Sequence, residues 1–419
     1  MNENVAALAK GSVQIDFFEM ILDGKTLDLI PFVTEINIYE SIFEPFITAT
    51  AAFDDSRGLP DLYVLNGSPV TIRYKSYKDS DSVTMKFIVD SVNVMLPDSM
   101  GRSQTYFLNL ISVDTMRAIA VRVDENYVNL APELMIENIL KQKIKTNKKF
   151  YSSKTNSIDS INCSSLYPFQ AIDAIKKRAV SRSYSSSTYV FFENQYGYCF
   201  KTIEEVLSEA AKDPQIANED RNFYFDINEP NDVRKTAWRK IETLQKIKQQ
   251  SLTEQILYGG VKSNIFAYNI NTGEHFKFEY EESEDSNRFK VASRKKLYSK
   301  VGSADIYNKG DKLSNLTVAP VLDENGLLRV QKEILAKAFS VKISNVLRIE
   351  ITGDSRLTVG TAANIDIPVI GPATSTQTNE ISSGIYMFSA IRHVFKPADA
   401  ATGRGYTQCC EMINTGVSL

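Results

Sequence analysis

The sequence predicts an α+β fold, with a β-rich region at each end of the chain and α/β material between them. Three observations predict it. Residues 12–113 hold runs of β-branched and aromatic residues broken by turn signals, helical periodicity begins near 131, and from 346 the chain returns to strands patterned like the first set. With 419 residues, 43% of them hydrophobic, the chain can fill more than one core.

The first β domain is expected over residues 1–113. Its runs "SVQIDFFEMIL", "FVTEINIYE", "FITATAAF", "PVTIRY" and "MKFIVDSVNV" read as strands of a small barrel or sandwich. Asp23-Gly24, Asn66-Gly67 and "PDSMG" at 97–101 supply the turns, and "GRSQTYFLNLISV" at 101–113 adds a last strand. An α/β domain is expected over 114–234. There "PELMIENILKQ" starts with Pro132 in a first helical turn and pairs Met135 with Ile139 and Ile136 with Leu140. A second helix, "PFQAIDAIKKRAV", puts Ile172, Ile175 and Ala179 on one face and leads into two aromatic strands around a turn at Asn194 and Gly197. A third, "TIEEVLSEAA", carries Glu204 and Glu205 in its first turn, where the helix dipole favours negative charge.

Residues 235–345 are expected to be rich in helix, with a hairpin and a charged insertion, and to belong in part to the second β domain. Trp238, Ile241, Leu244, Ile247 and Leu252 recur at roughly helical spacing up to a stop at Gly259-Gly260. "NIFAYNINTGEHFKFEYE" reads as a strand pair turning at Asn271-Thr272-Gly273, "EESEDSNRFKVASRKK" as an exposed charged loop, and "NGLLRVQKEILAKAF" as an amphipathic helix. Residues 346–419 carry the strands of the second domain, "VLRIEIT", "NIDIPVI", "IYMFSAIRHVF" and "TQCCEMI", interrupted by a polar loop at 371–383.

The two ends align as a repeat. Counted from Gly67, apolar residues fall at Val70, Ile72 and Tyr74; counted from Gly360, the same offsets give Ala363, Ile365 and Ile367. Phe87 then matches Tyr386, Val92 matches Ile391 and Met95 matches Val394, and a Gly-Arg pair holding Arg102 or Arg404 precedes the last strand of each. Two copies imply a scaffold with approximate internal symmetry.

The 48 basic and 51 acidic residues nearly cancel, so no nucleic-acid-binding surface or polybasic membrane patch is expected. The N-terminus has no basic region ahead of its short apolar run, and no apolar stretch nears the roughly 20 residues that span a bilayer. A soluble protein made in a cytoplasm is expected, with Cys163, Cys199, Cys409 and Cys410 as reduced thiols and the sequons at Asn66, Asn162 and Asn315 as chance matches.

No catalytic, cofactor-binding or metal-binding residue is assigned, and no cofactor is expected. His275 and His393 each stand on a predicted strand without a second ligand at metal spacing, and HExxH, GxSxG, GxGxxG and the Walker motif are absent. Asp54-Asp55 and the Asp79/Asp81 pair read as solvated turn carboxylates, and "RKK" at 294–296 as part of a charge-balanced loop. Tyr196 and Tyr198, beside a hairpin turn, are the aromatics that a glycan-binding surface would use.

Three blocks, "ESIFEPFITATAAFDDSRGLPDLYVLNGSPVTIRY" (40–74), "PFQAIDAIKKRAVSRSYSSSTYVFFENQYGYCFKTIEEVL" (168–207) and "GIYMFSAIRHVF" (384–395), resemble the central baseplate hub protein of contractile-tailed bacteriophages, the myovirus tail hub family. The likeness covers most of the chain. It implies a homotrimer in which each subunit supplies two similar β-barrel-like tube domains, with α/β domains between them, so that three chains make a pseudo-sixfold ring. It implies a structural, non-enzymatic adaptor between a hexameric tail tube protein and a trimeric spike protein, in contact with other baseplate proteins. It also implies assembly in the host cytoplasm into a virion tail, DNA passing through without specific binding, and no membrane anchoring. Some relatives continue into a fused spike; here the chain stops at Leu419, and the spike is expected on a separate polypeptide. The alternatives are a tail-tip cell-wall hydrolase and a receptor- or glycan-binding module.

Overall fold

The computed structural model describes residues 11, 13–76, 81–97, 103–156, 158–183, 188–213, 221–225, 239–248, 262–281, 315–321, 346–369, 379, 382–399 and 403–414. Alternating apolar residues form the first strand set: β1 (Val13–Leu22), β2 (Lys25–Asp28), β3 (Val33–Ser41), β4 (Thr48–Asp55), β5 (Pro69–Ser76), β6 (Val83–Pro97) and β7 (Gln104–Ser112), with one helical turn, α1 (Leu59–Leu62), between β4 and β5. In β4 and β5 every second residue is buried, as a sheet with one face on a core requires.

The middle of the chain changes period. It contains α2 (Val113–Ile119), β8 (Asn126–Leu130), α3 (Pro132–Asn138) continuing into a π-helical turn at Ile139–Ile144, β9 (Lys149–Ser152), β10 (Ile158–Asn162), α4 (Pro168–Arg178), β11 (Tyr189–Asn194), β12 (Gly197–Thr202) and α5 (Ile203–Ala211). Local chemistry sets the helix starts. Pro168 opens α4 while the Gln170 side chain accepts the Tyr167 N–H at 3.2 Å, and the Thr202 hydroxyl accepts the Glu205 N–H at 3.2 Å to cap α5. Every residue of β11 is buried, because its Phe191 faces the α-helical core and its Phe192 faces the second strand set.

The remaining strands are β13 (Asn222–Tyr224), β14 (Ile241–Lys248), β15 (Lys262–Asn269), β16 (His275–Glu281), β17 (Asn315–Val321), β18 (Val346–Thr352), β19 (Ala362–Asp366), β20 (Gly384–Asp399) and β21 (Gly403–Asn414). β15 and β16 form the expected hairpin, and β17 joins β15 in parallel. The helix expected over 235–257 is instead a strand where it is described. A β-bulge between Ile241 and Thr243 sets buried Ile241 and half-buried Leu244 three residues apart on the core side, and that spacing mimics a helical repeat. The expected helix "NGLLRVQKEILAKAF", Arg102, Asp79, the lysines at 295 and 296 and nearly all of the loop at 371–383 lie outside the described residues.

The fold is therefore mostly β, with few helices and one large, chiefly antiparallel sheet of thirteen strands. Among the described residues this sheet forms an open path, β14-β18-β21-β20-β3-β4-β7-β6-β5-β1-β2, with β19 and β13 branching from β20. Within it, the order β3-β4-β7-β6-β5 recurs as β14-β18-β21-β20-β19. Register recurs as well: Val70 pairs with Phe87 as Ala363 pairs with Tyr386, and Val92 pairs with Leu108 as Ile391 pairs with Cys410. Two bulges fall at matched positions, Val89/Ser91 with Phe388/Ala390 and Val33/Glu35 with Ile241/Thr243, and a further one, Val94/Pro97 in β6 and Phe395/Ala398 in β20, is displaced by two residues. Gly67 (φ 82°) and Gly360 (φ 84°) share a left-handed conformation and donate to Val89 O (2.8 Å) and Phe388 O (2.9 Å) respectively.

At Gly197 the backbone has φ 141°, and an added Cβ would sit 2.3 Å from the Lys149 carbonyl oxygen across the β12–β9 pair. Backbone cannot swing aside as a side chain can. Gly197→Ala is expected to cost about 2–3 kcal/mol through overpacking and strain, read as a lowered denaturant midpoint.

Candidate assembly interface

The two strand sets meet where β20 crosses from one to the other. Its first residues pair with β19, and from Ala390 to Phe395 the same edge pairs with β3, from Ala390 opposite Ser41 to Phe395 opposite Ile36. Ile42 N–H extends this ladder to Ser389 O at 2.9 Å. Side chains follow the backbone across the joint: Phe395 and Tyr406, both from the second set, are fully buried in the apolar cluster of the first. Their rings stack at 4.6 Å between centroids and meet Tyr74 edge-on at 4.8 and 6.1 Å.

A buried polar network lies beside this aromatic plug. Glu40, on β3, accepts hydrogen bonds from the Thr358 hydroxyl and from Val359 N–H at 3.1 Å, and its other oxygen lies 3.4 Å from His393 Nε2. His393 Nδ1 is 2.7 Å from the Tyr406 hydroxyl and 3.2 Å from the Gln408 amide nitrogen. Because that amide nitrogen can only donate, Nδ1 is the acceptor, and the imidazole proton is assigned to Nε2, facing Glu40. Burial pushes the Tyr406 hydroxyl well above the ordinary phenol range, so it stays protonated as a donor. Gln408 also donates to Asp354 O at 3.0 Å, and the Ser76 and Ser355 hydroxyls meet at 3.1 Å. Glu40 and Ser76 lie hundreds of positions from Thr358, His393 and Ser355 in the sequence; the joint brings them together.

The other face of the joint is a 640 Å³ cleft lined by Tyr39, Glu44, Phe46, Arg348, Arg392 and Glu411. Arg392 donates to Asn37 Oδ1 at 2.9 Å and Arg348 to Glu411 at 2.5 Å. The α/β region is fastened nearby through Glu193, which accepts from Ile47 N–H at 3.3 Å and from the Ser112 hydroxyl at 3.2 Å and pairs with Lys148. Burial raises the Glu193 carboxyl's pKa, and Lys148 opposes the rise.

The residues singled out in the sequence scatter. His275 is exposed on β16, whereas His393 is 1% exposed inside the network. Asp54 is exposed, but Asp55 is buried, a correction to its reading as a solvated carboxylate: its oxygens accept the Arg57 and Leu59 N–H groups at 2.6 and 2.7 Å and hold the start of α1. Asp81 is exposed. Tyr196 is exposed, but Tyr198 is fully buried, stacked on Phe191 at 5.4 Å and donating to Asp114 at 3.3 Å, so the pair does not form one surface platform. Cys410 is buried and Cys409 half-buried, on opposite faces of β21, and all four cysteines are free thiols. Among the described residues no group of three His, Cys, Asp or Glu side chains could hold a metal ion, and no helix is long and apolar enough to cross a membrane.

No protein-family model and no curated protein matches the sequence. Solved structures do match in fold. A tail protein from Neisseria meningitidis MC58 superposes with a TM-score of 0.57 at 11% identity, covering 96% of this chain and 97% of that one. A 43 kDa tail protein of prophage MuSo2 from Shewanella oneidensis gives a TM-score of 0.57 at 10% identity, covering 96% and 98%. A chain of the half-lidded Francisella PdpA-VgrG complex gives a TM-score of 0.50 at 11% identity; the match covers 97% of this chain but 58% of that longer one. At these identities the likeness is one of fold: the chain is built, over nearly its whole length, as phage tail proteins are built.

Proposed function

We propose that this protein is the structural hub of a phage tail baseplate, a homotrimer that adapts a hexameric tail tube to a trimeric spike. One observation carries the reading: a single chain repeats a five-strand order with its register and bulges, so that three copies offer six similar β units. The likeness to tail proteins supports it. In this reading the two strand sets are barrel-like tube domains, with 1–113 forming the first, 346–419 and part of 235–345 the second, and 114–234 the α/β domain beside them. The protein sits in the virion baseplate among other baseplate proteins and acts through assembly, without a cofactor or catalytic residue.

DNA passes through such a hub. A conduit is served by few phosphate contacts, because each Lys or Arg contact adds affinity through counterion release. With 48 basic residues against 51 acidic ones, duplex DNA is expected to bind more weakly than about micromolar at physiological salt; nanomolar binding in a filter or anisotropy assay contradicts the conduit. The hub itself is tested by light scattering on the protein mixed with its spike. Three copies per particle are expected, and a particle with one or two copies overturns the adaptor.

A further inference from the structure

We propose that the second half of β6 and the outer edge of β14 pair with each other between neighbouring copies of this chain, reproducing between subunits the joint that β20 and β3 make within one. The proposal rests on the trimer reading and deepens it by naming the edges and their register. β20 and β6 are counterparts, as are β3 and β14. Along β20, the edge that pairs with β19 goes on to pair with β3. Along β6, the edge that pairs with β5 up to Ile88 meets nothing among the described residues beyond the contacts of Val89 with Gly67 and Ser68. Likewise β3 has β4 on one side and β20 on the other, while β14 has β18 on one side and, on the other, no strand pairing among the described residues beyond the bridge from Lys240 to Tyr224 just before the strand begins.

Among the described residues one chain therefore has one joint made and the two halves of a second left open. The occupant is fixed by this equivalence: the open half of β6 follows the same bulge, Val89/Ser91, that precedes the part of β20 receiving β3, and the partner it fits is the counterpart of β3, which only another copy supplies; the position of the Val94/Pro97 bulge in β6 and the Lys246/Lys248 bulge in β14 are peculiar to these two edges. Exposure agrees. Asn93, Gln245, Lys246 and Ile247 are exposed in the single chain.

The register follows from the repeat. Ile36 pairs with Ala51 as Leu244 pairs with Ile349, and Ala51 with Leu108 as Ile349 with Cys410, so Leu244, Gln245 and Lys246 stand for Ile36, Asn37 and Ile38. Phe395 opposite Ile36, Val394 opposite Asn37 and His393 opposite Ile38 then become Leu96 opposite Leu244, Met95 opposite Gln245 and Val94 opposite Lys246. The Arg392–Asn37 hydrogen bond becomes one between the amides of Asn93 and Gln245. Since Ile42 N–H bonds Ser389 O, the pairs in step with it are the hydrogen-bonded ones and Val394–Asn37 is not. Its counterpart, Met95–Gln245, thus belongs to the closer class, with Cα atoms about 4.5 Å apart, within reach of a disulfide.

The test is the full-length double variant Met95→Cys/Gln245→Cys, oxidised in the assembled particle and run on a non-reducing gel beside each single variant and the register-shifted Met95→Cys/Thr243→Cys. At least tenfold more covalently linked trimer is expected from the matched pair than from the shifted pair or the single variants. A particle of three copies by mass that yields no such link leaves the trimer standing and overturns this pairing. A cross-link confined to single chains also overturns it. A protein that stays monomeric with its spike overturns the trimer and the pairing together.

Discussion

Glu40→Ala is expected to destabilise the folded chain by about 2–4 kcal/mol, the cost of leaving buried donors without their acceptor. Glu40 is 3% exposed and receives the Thr358 hydroxyl and the Val359 N–H while facing His393 Nε2. Truncation leaves the buried Thr358 hydroxyl and Val359 N–H without the acceptor they share. Glu40→Gln keeps the shape and an oxygen that can still accept, and is expected to cost nearer 1 kcal/mol. Urea unfolding followed by fluorescence and circular dichroism measures both. Equal effects of the two substitutions would mean that the network contributes little. Because Glu40 is on β3 and its donors belong to the second strand set, the alanine variant should also lower the coupling between the two sets, detectable as separate unfolding transitions.

Tyr406→Ala is expected to cost a similar amount, about 3–5 kcal/mol, as buried aromatic truncations do. The ring is fully buried, lies parallel to Phe395 (interplanar angle 4°) and reaches His393 through its hydroxyl. Tyr406→Phe retains the stacking and removes one hydrogen bond, so a loss of about 1–2 kcal/mol is expected. Tyr74 comes from the first strand set and touches the same ring, so a Tyr74→Ala/Tyr406→Ala pair should be non-additive. Strict additivity would mean that the two aromatic groups do not share a core.

Much of the β architecture was legible because alternation is a local signal. β1, β3, β4, β5, β6, β7, β18, β19, β20 and β21 all coincide with apolar runs of strand period, and the matched offsets from Gly67 and Gly360 correspond to matched turns and registers. The misreadings have local causes too. The bulge in β14 displaces its apolar residues into helical spacing, and β17, "NLTVAPV", carries Pro320, a residue that speaks against a strand. Asp55 stands beside turn residues, but its burial depends on the backbone N–H groups it caps. The joint itself was out of reach. Nothing near Glu40 in sequence announces Thr358 or His393, and a network between residues more than 300 positions apart becomes visible only when β20 is laid against β3. One signal was available: His393 shares its strand face with Ile391 and Phe395, which places it inward, where a histidine must find partners.

The central claim is that one chain carries the same β unit twice so that three chains present six. Single-particle images of the protein assembled with its spike test it most directly. The account predicts end-on views of a ring around a central hole, with six similar β units contributed by three chains and continuous strand pairing both within and between subunits. A ring with any number of chains other than three, or end-on views in which the two strand sets of one chain occupy unrelated positions, would contradict it.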